Sequence, residues 1–332
     1  MNASRRLIRT LAAATALGVG ALGLGACAGG PDEQGAEAKG KVDVVASFYP
    51  LRYLAEQIGG EHVETESLTK PGTEPHDLEL SPQQTGRLTD ADLVVYLKGL
   101  QPAVDEGVQQ AEPEHVADAA SYVKLERHGV DVHGEKHGAG HGAGHGEQHG
   151  GAGQEKGHDE HGGKDPHIWL DPVRYAQVAE GVGKKLAEAD PEHKKTYAKN
   201  TRALTERLRA LDEDFKKGLA RKKTDTFITT HAAFGYLADR YGLHQAAVSG
   251  IDPESEPSGA RMKQLHRTAK AGRVDTVFFE SSASDRTAKT LAGDLNLRTG
   301  VLSPLESVKK GEDYFSVMHR NLLSLQTALG AS

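Results

Sequence analysis

An α/β fold of two lobes, each built on a parallel sheet, follows from three features of the sequence. Short apolar runs alternate with helical patterns in the first half of the chain, and the same alternation resumes in the last third. Between them lies one long, charged helical stretch with a single apolar stripe. Strand–helix alternation is the mark of parallel sheets, because parallel neighbours need a crossover connection. A chain of 332 residues is long enough for two such lobes with a well-buried core.

The first segment stands outside the fold. Arg5, Arg6 and Arg9 precede an uncharged stretch, residues 11–25, in which Thr15 is the one polar residue. The pattern predicts a secretory signal over 1–27. Its ending, Leu24-Gly25-Ala26-Cys27, resembles a bacterial lipobox, in which Cys27 becomes the lipidated first residue. An ordinary signal with an incidental cysteine is the competing reading. Against it, Cys27 is the only cysteine in the chain and sits where a lipobox requires one. Residues 28–40 read as a flexible polar tether. No later stretch approaches the ~20 consecutive apolar residues of a membrane span. A net charge of −7 and no basic patch beyond the N-terminus argue against a nucleic-acid partner.

The N-terminal lobe is expected over 41–190. Strands are predicted at 42–48, 63–68 and 93–97, with a poor fourth at 115–118. A helix opens on Pro50 and closes at Gly59-Gly60. Another is capped by Ser81, with Pro82 at its first position, and runs to Asp90. Residues 128–161, inside a loop spanning 126–164, are histidines among Gly, Ala and charged residues. They lack the apolar side chains that offset chain entropy, so a disordered loop is expected. His133, His137, His141, His145, His149, His158 and His161 are candidate weak, interchangeable metal sites. A hydrophilic insertion without a role is the bland alternative.

A helical pattern follows at 173–189, and Pro191 opens a linking helix over 191–222. Leu204, Leu208, Leu211, Phe215 and Leu219 lie on one face of it. The stripe is too short for a coiled-coil dimer, so a monomer with an internal connecting helix is expected. The C-terminal lobe, 223–332, has predicted strands at 225–229, 245–248, 276–279 and 298–302. Its helices are predicted at 233–241, 258–271, 285–293 and 312–329.

Candidate functional residues fall at strand ends, where open α/β sheets bind ligands. His76 lies in Lys70-Pro71-Gly72-Thr73-Glu74-Pro75-His76-Asp77, His231 follows a strand in Thr230-His231-Ala232, Glu280 ends a strand, and Glu306 lies just past another. His167 sits in Asp165-Pro166-His167-Ile168-Trp169-Leu170-Asp171-Pro172. Two prolines stiffen that backbone, and the chain's only tryptophan anchors it. Taken singly, each has a bland reading: a solvated turn holding a histidine, or a core loop whose imidazole satisfies a hydrogen bond. So widely separated in sequence, they could meet only if two lobes face each other across a cleft.

The ordered set of lipobox, Gly-Thr-Glu-Pro-His-Asp, His-rich loop, Asp-Pro-His-Ile-Trp-Leu-Asp-Pro, Thr-His-Ala-Ala-Phe-Gly-Tyr-Leu, Phe-Phe-Glu and Ser-Pro-Leu-Glu resembles the metal-binding lipoproteins of bacterial ABC importers, in their zinc-uptake branch. The resemblance spans the mature chain. It implies two lobes joined by one long helix, with a metal site between them. Carried over by position, the ligands would be His76, His167, His231 and Glu306, with Glu280 a carboxylate close to the metal. In zinc relatives the fourth position varies between carboxylate and water. Three imidazoles and a carboxylate suit tetrahedral Zn²⁺. Manganese relatives carry a carboxylate where this chain has His231, and Mn²⁺ prefers more oxygen ligands. The implied function is a zinc receptor on the extracytoplasmic face of the membrane, anchored through Cys27, serving a permease and its ATPase. Alternatives are a manganese or iron receptor of the same family, a zinc-dependent hydrolase, and a surface adhesin. A receptor rather than an enzyme is expected, since no nucleophile motif is visible.

Overall fold

A computed structural model describes residues 40–128, 164–280 and 286–331. The predicted signal and Cys27, the tether short of Gly40, and His133, His137, His141, His145, His149, His158 and His161 lie outside the described residues. Strands β1 (Val42–Ala46), β2 (Val63–Ser67), β3 (Leu93–Tyr96) and β4 (Val116–Asp118) form one parallel sheet in the order β2-β1-β3-β4. Strands β5 (Thr226–Thr229), β6 (His244–Ala247), β7 (Thr276–Phe279) and β8 (Arg298–Val301) form a second in the order β6-β5-β7-β8, also parallel. The two sheets share one topology. In each, the chain leaves the first strand toward one edge and then returns to its other side. That creates a switch point at the carboxyl ends of β1 and β3, and another at those of β5 and β7.

The helices form where caps and periodicity demand. Helix α1 (Tyr49–Gly59) has proline in its first turn. Helix α2 (Pro82–Asp90) begins with a capping box: Gln84 N–H donates to Ser81 Oγ, and Ser81 N–H to Gln84 Oε1. Helix α3 (Pro102–Ala111) is absent from the sequence expectation. It buries only Val104, Gly107 and Val108, a stripe too thin to register against its polar residues. A Cβ at Gly107 would meet the Cδ1 atoms of Leu88 and Leu80 at 2.8 and 2.9 Å, so those side chains would have to shift.

Helix α4 (Pro172–Ala189) is capped by Asp171, whose Oδ1 accepts from Val173 N–H. The expected linking helix is real but shorter. A 3-10 turn at Pro191–His193 precedes α5 (Lys194–Gly218), which stops where Leu219 leaves helical geometry. Its 25 residues span about 37 Å. Leu204, Leu208, Leu211 and Phe215 face inward as their spacing predicts. Helices α6 (Gly235–Tyr241), α7 (Gly259–Ala271), α8 (Arg286–Leu295) and α9 (Tyr314–Leu329) complete the second half.

Alternation along the strands divides each sheet between two cores. Val44, Phe227 and Phe278 point into one continuous core that also takes in α1, α4, α5 and α9. Their neighbours Val45, Ile228 and Val277 point the other way, into two smaller cores. Helix α5 therefore joins the lobes within a shared apolar layer. Trp169 and Leu305, beside two of the candidate site residues, are part of that layer.

The His-rich segment is tied down at its base, where disorder was expected to begin. Glu126 N–H donates to Tyr236 Oη, Asp165 N–H donates to the Glu126 carbonyl, and His128 lies between two carboxylates.

One buried clamp holds the loop that carries Glu306. Asn321 Nδ2 donates to the Ser303 carbonyl at 2.7 Å, and Ser303 N–H donates to Asn321 Oδ1 at 2.9 Å. Asn321→Leu strands both backbone groups, each at ~1–3 kcal/mol. Urea unfolding of the metal-free protein should show a loss of about 2–4 kcal/mol. An unchanged midpoint would mean that the clamp is not needed.

Candidate metal centre

Each of the five candidate residues lies on a loop leaving the carboxyl edge of a sheet or joining the two. The His76 loop is rooted where Thr69 Oγ1 donates to the Ser47 carbonyl and Gln101 Nε2 donates to Thr69 Oγ1. It turns at Gly72, whose φ of 81° favours glycine.

The octet around His167 is held from several directions. Trp169 Nε1 donates to the Pro304 carbonyl at 2.6 Å, and Tyr314 Oη donates to the Trp169 carbonyl at 2.7 Å. Tyr236 Oη donates to the Asp165 carbonyl at 2.8 Å. Arg240 forms a bidentate pair with Asp171 at 2.9 and 2.7 Å. The sequence marked this stretch as stiff because of its prolines. The structure adds that its bonding partners come from α6, α9 and the loop after β8.

His231 is placed by its own carbonyl, which accepts from Thr229 Oγ1 and Gln245 Nε2. Glu306 follows Leu305, a non-glycine residue at φ 62° that is fully buried. Packing overrides the cost of that conformation and turns Glu306 inward.

These loops bring His76, His167, His231 and Glu306 together, each buried, with one potential ligand atom per residue all within 4.8 Å of one another. Glu306 Oε1 lies 3.7, 3.5 and 3.8 Å from the Nε2 atoms of His76, His167 and His231. A tetrahedral ion with ~2.0 Å bonds needs ligand–ligand distances of about 3.3 Å, so small shifts would close the group. The three Nε2 atoms and both Glu306 oxygens have no hydrogen-bond partner among the described residues. Buried polar atoms are almost always paired, so five orphans aimed at one point call for a cation.

Two carboxylates stand behind the imidazoles. Asp165 Oδ1 accepts from His167 Nδ1 at 2.7 Å. Glu280 Oε1 contacts His231 Nδ1 and accepts from Thr230 Oγ1. A carboxylate on Nδ1 selects the tautomer that leaves Nε2 free to bind a metal. Glu280 thus sits behind a candidate ligand, outside the group of four. Asp165, which the sequence reading treats only as a stiffener, has the same role. Its position two residues before His167 was the available signal. Glu74 was also missed. It lies near Glu306, and burial, with the Glu306 charge next, pushes its carboxyl up to about 8.

Protons compete for the same atoms. Burial lowers the pKa of His167, but the Asp165 charge and hydrogen bond, then Glu306, outweigh it and raise the value to about 9. The His231 pKa is also raised, with Glu280 overcoming desolvation. Burial acts to raise the Glu306 pKa, yet the three imidazoles hold it far below the carboxylate range. With His167 and His231 both raised, a cation binding through their Nε2 atoms would compete with protons. Binding at pH 7.5 should release about one proton or more per ion, and affinity should fall as pH falls. Calorimetry in buffers of different ionisation enthalpy measures the release. Zero release at pH 7.5 would contradict the raised His167 pKa.

Residues 44–328 match the family described as zinc-uptake complex component A, periplasmic. The zinc-binding lipoprotein AdcA of Streptococcus pneumoniae is 35% identical over 301 residues, covering 87% of this chain and 56% of AdcA. This chain thus spans little more than half the length of that relative. The high-affinity zinc uptake system protein ZnuA of Bacillus subtilis is 32% identical over 318 residues, covering 92% of this chain and 93% of ZnuA. The crystal structure of Zn(II)-bound AdcA from S. pneumoniae superimposes with a TM-score of 0.69 at 32% identity, covering 87% of this chain and 58% of that one.

Proposed function

The chain belongs to the periplasmic component A family of zinc-uptake complexes, and on that footing we propose that it is the extracytoplasmic zinc receptor of an ABC importer. It takes one Zn²⁺ as cargo between its lobes and passes it to a membrane permease driven by an ATPase. The convergence of three Nε2 atoms that lack a partner among the described residues with the Glu306 carboxylate carries this reading. In our assignment His76, His167, His231 and Glu306 bind the ion, while Asp165 and Glu280 orient His167 and His231. Three nitrogens and one oxygen favour Zn²⁺ over Mn²⁺.

The chain acts as a monomer held to the membrane through lipidated Cys27, and it performs no catalysis. The loop histidines from His133 to His161 add weaker zinc sites that raise the local supply. A cleft bordered by Thr69, Lys70, Pro71 and Ser307 reaches Glu306.

Replacing His76, His167 or His231 by Ala should each cost more zinc affinity than the ~10–100-fold typical of losing an orienting partner, and Asp165→Asn should fall within that range. Glu306→Ala should cost less, because water can take its place. Competition against a chelator of known affinity measures each variant. Wild-type affinity in any one histidine variant removes that residue from the ligand set. Zinc should also raise the melting temperature, by an amount equivalent to ~2.7 kcal/mol at a hundredfold excess over Kd. Impaired growth of a deletion strain only under zinc limitation supports the receptor. Unimpaired zinc-limited growth with loss of surface attachment would favour the adhesin reading instead.

A further inference from the structure

A second group of metal-ligating side chains lies outside the cleft. Glu126, His128 and Asp239 each offer a donor atom, and these atoms lie within 4.8 Å of one another. The His128 ring is held in a built nook. It packs edge-on to Tyr236, with centroids 4.5 Å apart, and lies over Gly235, where a Cβ would meet the ring at 2.3 Å. Arg174 donates to Glu126 Oε1 at 2.9 Å and lies over the Tyr236 ring, so Glu126 is steadied as well.

The hydrogen-bond arithmetic at His128 is the decisive observation. Its Nδ1 lies 2.8 Å from Asp165 Oδ2, and its Nε2 lies 2.9 Å from Asp239 Oδ2. A neutral imidazole has one N–H for these two acceptors. If Asp165 takes it, as it does from His167 through its other oxygen, the Nε2 lone pair faces a carboxylate. That gap closes only around a cation, either a proton or a metal ion. A buried carboxylate behind Nδ1 and an Nε2 directed at anionic oxygen repeat, at one imidazole, the arrangement of His167 and His231 in the cleft.

We propose that Glu126, His128 and Asp239 form a second site for a borderline divalent cation such as Zn²⁺, separated from the cleft by the single carboxylate of Asp165. The choice of cation rests on the proposed zinc reading; the site itself does not. One histidine and two carboxylates, with Asp239 largely exposed, make it weaker than the cleft. Water completes its coordination. The ion replaces the proton between Nε2 and Asp239, so binding here also releases a proton.

Crystals of the full chain soaked in zinc, with data collected above and below the zinc absorption edge, test this. Two anomalous peaks are expected: one among the three cleft histidines, and one between His128 Nε2 and the Asp239 carboxylate. Asp239→Asn, at an exposed position, should remove the second peak and keep the first. In solution it should lower the zinc stoichiometry by one weak equivalent while the tight equivalent persists. His128→Gln should do the same. A cleft peak without a second peak overturns this inference alone. A second peak that persists in Asp239→Asn also overturns it. A missing cleft peak instead overturns the proposed function, and the second site then stands or falls by its own peak.

Discussion

Five polar atoms buried around one point, with no partner among the described residues, are the constraint on which this structure turns. Each uncompensated buried polar group costs ~1–3 kcal/mol, and a carboxylate costs more. A chain free to relax would expose these groups or pair them. Here each ligand loop is held by bonds that do not involve the site. Trp169 reaches Pro304, Tyr236 reaches Asp165, Arg240 reaches Asp171, and Asn321 reaches Ser303. The rest of the fold carries that cost, and in the proposed reading a bound cation would recover it, as in a preorganised site.

The fold makes that convergence possible by using one topology twice. In both sheets the switch point lies at the carboxyl edge, and both edges address the same cleft. The continuous core formed by α1, α4, α5 and α9 fixes the lobes beside each other, so residues far apart in sequence meet at hydrogen-bond-scale distances. Trp169 belongs to this core and is also two residues from His167. Core packing and ligand placement are therefore one requirement at that point.

Much of this was legible in the sequence, because β1, β3, β5 and β7 are short, largely apolar runs and most helices carry proline or Ser/Asp caps. His76, His231 and Glu306 stood out by their strand-end positions and His167 by its rigid Asp-Pro octet, and the family resemblance grouped the four as candidate ligands. What stayed hidden has physical causes. Helix α3 buries too few side chains to show a period. The pairing of Asp165 with His128 joins residues on either side of the long His-rich segment, and no local pattern encodes it. Glu74 is two residues from His76 and yet reads as a turn residue. Only the folded structure shows it half-buried near Glu306.

The central claim is that three imidazole nitrogens and one carboxylate oxygen complete a single tetrahedral zinc site. X-ray absorption at the zinc edge on the one-to-one complex addresses it most directly. Four light-atom neighbours at about 2.0 Å are expected, with outer-shell scattering from three imidazole rings. A six-coordinate oxygen shell, or scattering from no more than one imidazole, would contradict it.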